Sequence, residues 1–217
     1  MKKKSTLKHG FLFVLFLTSI LSVHAQTLKD VFTSSESPLF YLGIDFTKAK
    51  LIDDATANVN DIRDRQYDGI NDVVVNEPKK YDLKGAFHKS NIDHDLGLVS
   101  KRNQKANTEE IKSTSTSDFH RFKEDDVKTL VSGWDFGGKK GVGLLFVVEA
   151  MSKSEKAAAI WVTLVDMGAK KVLMTERLEG KASMSFGFRN YWATTVKNVI
   201  DQIEKKKFDE WKGKYGS

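Results

Sequence analysis

Histidine, asparagine and aspartate side chains gather at one place in the sequence, Asn91–Asp95, with His88 a short distance upstream. Imidazole and carboxylate groups are ligands for zinc and other divalent ions, so this segment is the best candidate for a metal site. The spacing of His88 and His94 belongs to no standard metal-binding motif, however. We therefore predict a polar turn here, with no bound metal and no cofactor.

Two other patterns resemble catalytic motifs but lack the surrounding residues or elements that those motifs require. Gly137–Gly143 is rich in glycine and lysine, yet a phosphate-binding loop needs Gly-Lys-Ser/Thr between a strand and a helix, and here a strand follows. Ser183 and Ser185 lie in no G-x-S-x-G motif, and the chain has no cysteine. No catalytic residue is identified. We expect a protein that is not an enzyme, with an exported, metal-assisted hydrolase using Asp93, His94 and Asp95 as the alternative.

Aromatic side chains and an arginine are concentrated between positions 186 and 192. Aromatic residues and arginine are enriched at binding hot spots, so this segment predicts a binding surface that Trp134 and Phe136 would extend. The alternative is that Phe186 and Phe188 close one end of the core, while Trp192 begins a buried helix. The predicted binding residues are Trp134, Phe136, Phe186, Phe188, Arg189 and Tyr191.

The first 25 residues are organised like a secretory signal peptide. Lysines precede an apolar run from Phe11 to Val23, and the small residues Val23 and Ala25 predict cleavage after Ala25. The apolar run is shorter than the roughly 20 residues of a membrane-spanning helix, and no later segment approaches that length. We predict export to the periplasm or the exterior, with no transmembrane segment in the mature chain. The lysines of this leader are Lys2, Lys3, Lys4 and Lys8.

The leader also accounts for most of the basic character of the chain. The whole chain holds 35 Lys+Arg against 29 Asp+Glu, and the four leader lysines are matched by no acidic residue. The mature chain is therefore nearly balanced, and we predict no nucleic-acid partner. Adhesion to the envelope or to nucleic acid through the lysine-rich tail Lys205–Ser217 is a further hypothesis.

The predicted mature chain, residues 26–217, is expected to form a single α/β domain. The tract at about 101–117 is polar, with Ile111 as its one large aliphatic residue, and predicts a long exposed loop. Leu39–Phe46 has the length and composition of a strand. Strict alternation along it would place Phe40, Leu42, Ile44 and Phe46 on one face.

Hydrophobic periodicity predicts the remaining elements. Apolar residues at helical spacing indicate helices over Asn58–Val75 and from about Asn190, whereas Leu96–Val99 suggests a short strand. Three strands at 142–151, 157–165 and 171–178 are separated by short polar connections, which favour antiparallel pairing. The predicted fold class is α+β: an α/β sandwich whose mixed sheet has a C-terminal three-stranded antiparallel meander, with helices packed on it and a closing C-terminal helix.

The last third of the chain carries a fold-level resemblance. Its residues are Ala158–Val165, the turn Asp166-Met167-Gly168, Val172–Leu178, Glu179-Gly180-Lys181-Ala182 and the helix after Asn190-Tyr191-Trp192. This order resembles a group of bacterial envelope proteins that includes the curli-secretion lipoprotein, the activators of penicillin-binding proteins and the N-terminal domain of the Tol translocation protein. The resemblance implies an envelope-associated protein. The motifs that carry it include no catalytic residue. The lipidated cysteine of several members is absent here.

These observations predict an exported protein that acts as a non-enzymatic binding or envelope-associated module. Its partner is expected to be an envelope protein or a glycan.

Overall fold

The computed structural model describes residues 27–217, so the predicted leader and its cleavage site lie outside the described residues. The helices are α1 (Leu28–Thr33), α2 (Val59–Asp61), α3 (Tyr67–Asn76), α4 (Leu83–Ala86), α5 (Gly97–Asn103), α6 (Thr108–Ile111), α7 (Glu124–Ser132), α8 (Phe188–Gln202) and α9 (Phe208–Tyr215). The strands are β1 (Phe40–Asp45), β2 (Lys50–Ile52), β3 (Asp93–His94), β4 (Lys112–Ser113), β5 (Val142–Ser152), β6 (Ala157–Asp166) and β7 (Lys171–Lys181). A 3₁₀ helix covers Thr116–His120, and π-helical turns cover Ile62–Gln66 and Ile203–Lys207.

The strands of residues 27–217 form one curled, mostly parallel sheet with the order β3-β1-β5-β2-β4. β1 and β2 lie one after the other along the same edge of β5, and β3 and β4 extend them outward, all in parallel pairing. β6 and β7 continue the sheet beyond the other edge of β5 in antiparallel pairing. Four of the six strand pairings are therefore parallel.

The predicted α+β fold class is wrong, because this pairing pattern belongs to an α/β fold rather than to a sheet defined by an antiparallel meander. One parallel pairing joins β1 to β5, which are far apart in the sequence, and the other three involve β2, β3 or β4, which are only two or three residues long. Such short strands carry no hydrophobic alternation of their own, and distant segments bring them into register. The sequence pattern therefore weighted the long C-terminal strands too heavily.

The polar tract expected to form a long loop at about 101–117 is also structured. It contains the end of α5, all of α6 and the edge strand β4. Asn107 caps α6 by accepting a hydrogen bond from the Glu109 amide, and Ile111 is buried. Leu96–Val99, predicted as a strand, instead forms the N-cap and first turn of α5. In both places local side-chain hydrogen bonds and tertiary contacts decide the conformation, and composition alone does not show them.

Helices cover both faces of the sheet. One face, with α1, α3, α4, α8 and α9, holds the larger apolar cluster. The other face packs against α5 and α7. The predicted helix over Asn58–Val75 is present as Val59–Asn76, interrupted by the π-helical turn. The C-terminal helix begins at Phe188, and its predicted apolar stripe is buried at Trp192, Val196, Val199, Ile200 and Ile203.

A bulge in β1 changes which residues share a face. The pairing of β1 with β5 shifts between Tyr41 and Gly43, so Tyr41 joins Ile44 in the larger cluster, while Leu42 faces the other way. Strict alternation was therefore the wrong expectation for this strand, because one extra residue reverses every later side chain. Gly43 has a φ of +96°, and a Cβ there would lie 2.7 Å from Asn71 Oδ1.

Helix α8 lies so close to β7 that only glycine fits between them. A Cβ at Gly180 would lie 2.1 Å from the backbone oxygen of Thr195, and a backbone atom cannot swing away as a side chain can. This contact fixes the distance between β7 and α8, and therefore the position of the segment that joins them.

Replacing Gly180 tests this close approach. We expect Gly180→Ala to lower the free energy of unfolding by about 1–3 kcal/mol or more, because the helix must move away from the strand. The matched control is Gly213→Ala in α9, where no heavy atom lies within 4 Å of the added Cβ. That variant should be neutral or more stable by up to about 1 kcal/mol. Equal urea midpoints for the two variants would show that the strand and helix are not held this tightly.

Candidate functional site

The clearest surface feature is the segment that joins β7 to α8, residues 182–187. Met184 is 98% exposed and Phe186 is 92% exposed, and they are the large hydrophobic side chains of the described chain that face solvent. We call these two residues the apolar tip. Single exposed apolar residues are common, but two such large ones on one short segment are typical of a contact surface.

The base of this segment is held firmly although its tip projects. The Ala182 amide donates to the Lys156 carbonyl at 2.8 Å, and the Ser183 amide donates to Thr194 Oγ1 at 2.9 Å. The Lys181 amide donates to Asn198 Oδ1 at 2.9 Å. Because α8 and β7 fix both ends, the tip is displayed from a rigid base.

Two hollows flank the tip, and we call them together the groove. The first, about 400 Å³, lies between the β5–β6 turn, the start of α2 and the start of α8. The second, about 380 Å³, lies between the π-helical turn at Ile62–Gln66 and the start of α8. Gly187 and Phe188 line both hollows. The π-helical turn is noteworthy here because such turns are frequent at functional sites.

The groove is lined by side chains of both charges. Lys153 lines the first hollow, with Nζ 4.3 Å from the centroid of the Tyr191 ring and 3.8 Å from Asp54 Oδ2. Gln66 Nε2 donates to Asp61 Oδ2 at 2.8 Å, and this bond, supported by Arg65, lowers the pKa of Asp61. The second hollow has Arg65 and Arg189 on its walls. Aromatic surface, cations and carboxylates are therefore available to a partner within one groove.

The groove lies at the carboxyl-terminal end of the parallel strands. β2 and β5 end side by side at Ile52 and Ser152, and β7 ends at Lys181 opposite Ala157. In open α/β sheets, ligands bind beyond the carboxyl ends of the strands. The position of the groove agrees with this rule.

The structure divides the predicted aromatic patch into two groups. Phe186, Phe188, Arg189 and Tyr191 lie together beside the groove. Trp134 and Phe136, in contrast, are only 1% and 2% exposed, and they belong to the apolar cluster on the opposite face of the sheet. Their inclusion in a binding surface was wrong.

The burial of Trp134 has a specific cause. Its Nε1 donates to Asp45 Oδ2 at 2.9 Å, and Arg102 Nε donates to the same oxygen at 2.7 Å. The Asp45 side chain is fully buried, so these charge-assisted bonds replace its lost hydration. Phe136 stacks on Trp134 with ring centroids 5.4 Å apart. Hydrophobic spacing could not reveal this carboxylate, which lies 89 residues away in the sequence.

A second buried carboxylate repeats this arrangement in the neighbouring strand. Glu149 Oε2 accepts from Trp161 Nε1 and from Arg177 Nε, both at 3.0 Å, and Glu149 Oε1 accepts from the Phe122 amide at 2.7 Å. Each of the four carboxylate oxygens of Asp45 and Glu149 thus accepts a hydrogen bond from another residue of the chain. Both carboxylates therefore serve to hold the α5–α7 face on the sheet.

The segment singled out for metal binding forms strand β3 and its flanks. Asp93 Oδ1 accepts from Asn91 Nδ2 at 2.8 Å, while Asp95 Oδ2 lies 3.2 Å from Lys139 Nζ. His94 is the neighbour of Asp93 in the strand, so their side chains point to opposite faces. Within residues 27–217, no three His, Cys, Asp or Glu side chains are grouped as metal ligands.

The lysine-rich tail forms the last turns of the C-terminal helix. Lys207 Nζ lies 2.7 Å from Glu176 Oε1 and 2.7 Å from Glu210 Oε2, and Lys206 pairs with Glu210 at 3.4 Å. These ion pairs join the tail to strand β7 and neutralise part of its charge.

Across the described part of the chain, none of the helices combines the length and apolar character needed to cross a bilayer.

Sequence reasoning missed the groove's other wall, which comes from α2 and the π-helical turn. Asp61 and Gln66 are polar residues of an amphipathic helical segment whose apolar stripe includes the buried Ile62, and nothing in their spacing indicates a site.

Comparison with protein-family models, with curated proteins and with solved structures finds no match to this chain.

Proposed function

We propose that this protein is an exported, non-enzymatic binding module of the bacterial cell envelope, and that the apolar tip and the groove form its partner-binding surface. The observation that carries the proposal is the near-complete exposure of Met184 and Phe186 on a rigidly held segment. Burying such a side chain contributes about 1.5–3 kcal/mol, so these two residues supply enough free energy for an interface hot spot.

The groove adds specificity to this apolar contact. A partner segment that covers Phe186 also reaches Arg65 and Arg189 on one side, and Lys153 and Tyr191 on the other. Aromatic rings surrounded by such polar groups suit a polypeptide segment with apolar and acidic side chains. Aromatic rings also stack on sugar rings, so a glycan is the alternative partner. Methionine favours the polypeptide, because its flexible thioether adapts to irregular apolar surfaces.

Export is the part of the proposal that the leader supports. Thr27 and Asp30 form a capping box at the start of α1: the Thr27 amide donates to Asp30 Oδ2 at 2.8 Å, and Thr27 Oγ1 accepts from the Asp30 amide. Cleavage after Ala25 leaves this cap intact. The envelope resemblance of the C-terminal third and the absence of cysteine fit a mature module without a lipid anchor. The metal-assisted hydrolase stays an alternative, and no group of metal-ligating side chains in the described part of the chain favours it.

Cleavage of the leader is tested by producing the full chain in a Gram-negative host. We expect the periplasmic fraction to contain protein that begins at Gln26, because the leader has the features that signal peptidase recognises. Intact mass and N-terminal peptide mapping measure the cut. Ala25→Arg should block cleavage, whereas the conservative Ala25→Ser should preserve it. Protein that retains Met1 and stays in the cytosol would contradict export.

The binding surface is tested by photo-crosslinking in the producing cell. A photoreactive phenylalanine analogue at position 186 should give discrete adducts with an envelope component, because the proposed partner covers this side chain. The same analogue at Lys171, at the opposite end of β7, is the control and should give none. Met184→Ser should remove the adducts, whereas Met184→Leu, which keeps the apolar surface, should preserve them.

The outcome also distinguishes the two kinds of partner. Protease-sensitive adducts identify a polypeptide, and adducts sensitive to glycan-cleaving enzymes identify a glycan. Equal labelling at positions 186 and 171, or adducts unaffected by Met184→Ser, would show that the apolar tip is not a binding surface. The substituted side chains are exposed, so the thermal midpoint should change little in any of these variants.

A further inference from the structure

A third cavity lies away from the groove, where β3 pairs with the beginning of β1. Its volume is about 250 Å³. Its walls come from Tyr41 of β1, the end of α3, the segment from Pro78 to Lys84 and the residues around β3. Tyr41 and His94 lie side by side in the β1–β3 pairing, so the cavity opens at an edge of the sheet.

One of the two tyrosines that line this cavity has a hydroxyl group without a partner. Tyr41 is 0% exposed, and its hydroxyl makes no hydrogen bond to any atom of residues 27–217. Tyr81 is 1% exposed, and the Lys80 ammonium is its polar neighbour. Buried polar groups nearly always have a partner, and leaving one unpaired is costly. The tyrosine with the unpaired hydroxyl, Tyr41, lines the wall of this cavity, so a molecule in the cavity is positioned to supply the missing partner.

The protonation state of the two phenols fixes what they offer to a partner. Burial raises the pKa of Tyr41 far above its ordinary value, and burial also raises the pKa of Tyr81. Lys80, whose Nζ lies 5.2 Å from the Tyr81 ring centroid, opposes this rise without reversing it. Both hydroxyls therefore keep their protons at neutral pH and act as hydrogen-bond donors.

The remaining walls are mostly apolar. Val74, Val75, Pro78, Leu83 and Ile92 contribute aliphatic surface, while Asp82, Lys84, Asn91 and His94 are exposed and polar. Asp82 Oδ1 accepts from the Gly85 amide at 2.8 Å and serves as the cap of α4. The inner cavity thus provides apolar surface and two donors. An ion is unsuited to such a site, because its hydration would not be replaced.

We propose that this cavity binds a small, uncharged and mainly apolar molecule that carries one hydrogen-bond acceptor oxygen, such as a ketone on a single ring. The Tyr41 hydroxyl donates to that oxygen, and the Tyr81 hydroxyl is the second donor. The volume suits this class, because an apolar cavity of about 150 Å³ already accommodates benzene in another protein. The proposal is independent of the partner-binding surface, which lies on other residues.

Acetophenone is a suitable probe, because it combines one aromatic ring with one carbonyl oxygen. Its binding to the complete mature chain is measured by following backbone amide signals in an NMR titration. We expect a dissociation constant of about 1 mM or tighter, with shifts at residues around Tyr41 and Ile92. Tyr41→Phe should weaken binding by about fivefold to tenfold, because it removes the donor and keeps the ring. Ethylbenzene, which lacks the carbonyl, should bind the wild type and the variant equally.

Tyr67→Phe is the matched control. Tyr67 is also a fully buried tyrosine with an unpaired hydroxyl, but it does not line this cavity. Its replacement should leave acetophenone binding unchanged. Tyr41→Phe should also raise the thermal midpoint of the ligand-free protein, because an unsatisfied buried hydroxyl is removed.

Three results would overturn the proposal. The first is acetophenone affinity weaker than about 10 mM, which means that the cavity does not accept the probe. The second is an equal loss of acetophenone and ethylbenzene binding in Tyr41→Phe, which means that the hydroxyl does not recognise the oxygen. The third is a lower thermal midpoint for Tyr41→Phe, which means that the hydroxyl already has a partner in the ligand-free protein.

Discussion

Two buried asparagines complete the hydrogen bonding of strand β1, and the positions of both sites depend on them. β1 pairs with β3 only at Phe40 and Tyr41, so within residues 27–217 its outer edge has no partner strand from Gly43 onward. Asn71 Oδ1 accepts from the Ile44 amide at 2.7 Å, and Asn103 Oδ1 accepts from the Phe46 amide at 2.8 Å. Both Nδ2 groups donate to the Ile44 carbonyl, at 3.1 and 2.9 Å. The side chains thus take the place of a neighbouring strand.

This constraint positions the helix that carries Asn71. The helical segment from Val59 to Asn76 contributes Ile62 and Gln66 to the groove at one end, and Val74 and Val75 to the tyrosine-lined cavity at the other. Because Asn71 lies between them and binds the backbone of β1, sliding or rotating this helix would leave buried backbone groups unpaired. Gly43 belongs to the same arrangement, since any side chain there would displace Asn71 Oδ1. One polar contact in the core thereby fixes the geometry of two surface features.

The sequence predicts the parts of the fold that hydrophobic periodicity encodes, and it misses those that side-chain hydrogen bonds create. The helix that begins at Phe188 was predictable because Trp192, Val196 and Val199 form a continuous apolar stripe. Nothing comparable marks β3 or β4, since strands of two residues have no period. Asn71 is likewise an ordinary polar residue in an amphipathic helix until the bulge in β1 brings a backbone amide to it. The fold class was wrong for this reason.

The same distinction separates the predicted site residues that lie together at the surface from those that are buried elsewhere. Phe186, Phe188, Arg189 and Tyr191 are neighbours along the chain, so their proximity required no knowledge of the fold. Trp134 and Phe136 were assigned to that surface by residue type alone, yet a buried carboxylate on β1 draws Trp134 inward. Tyr41 escaped notice because a tyrosine in an apolar segment gives no sign that its hydroxyl lacks a partner.

Amide hydrogen exchange at Ile44 measures the asparagine contact most directly. The account predicts that the Ile44 amide exchanges as slowly as that of Val147 in the centre of β5, although no strand lies beside it. In Asn71→Ala, exchange at Ile44 should accelerate by about tenfold or more relative to Val147, whereas Asn60→Ala, which alters an exposed residue of the same helical segment, should leave it unchanged. Rapid exchange at Ile44 in the wild type, or slow exchange that persists in Asn71→Ala, would contradict the account.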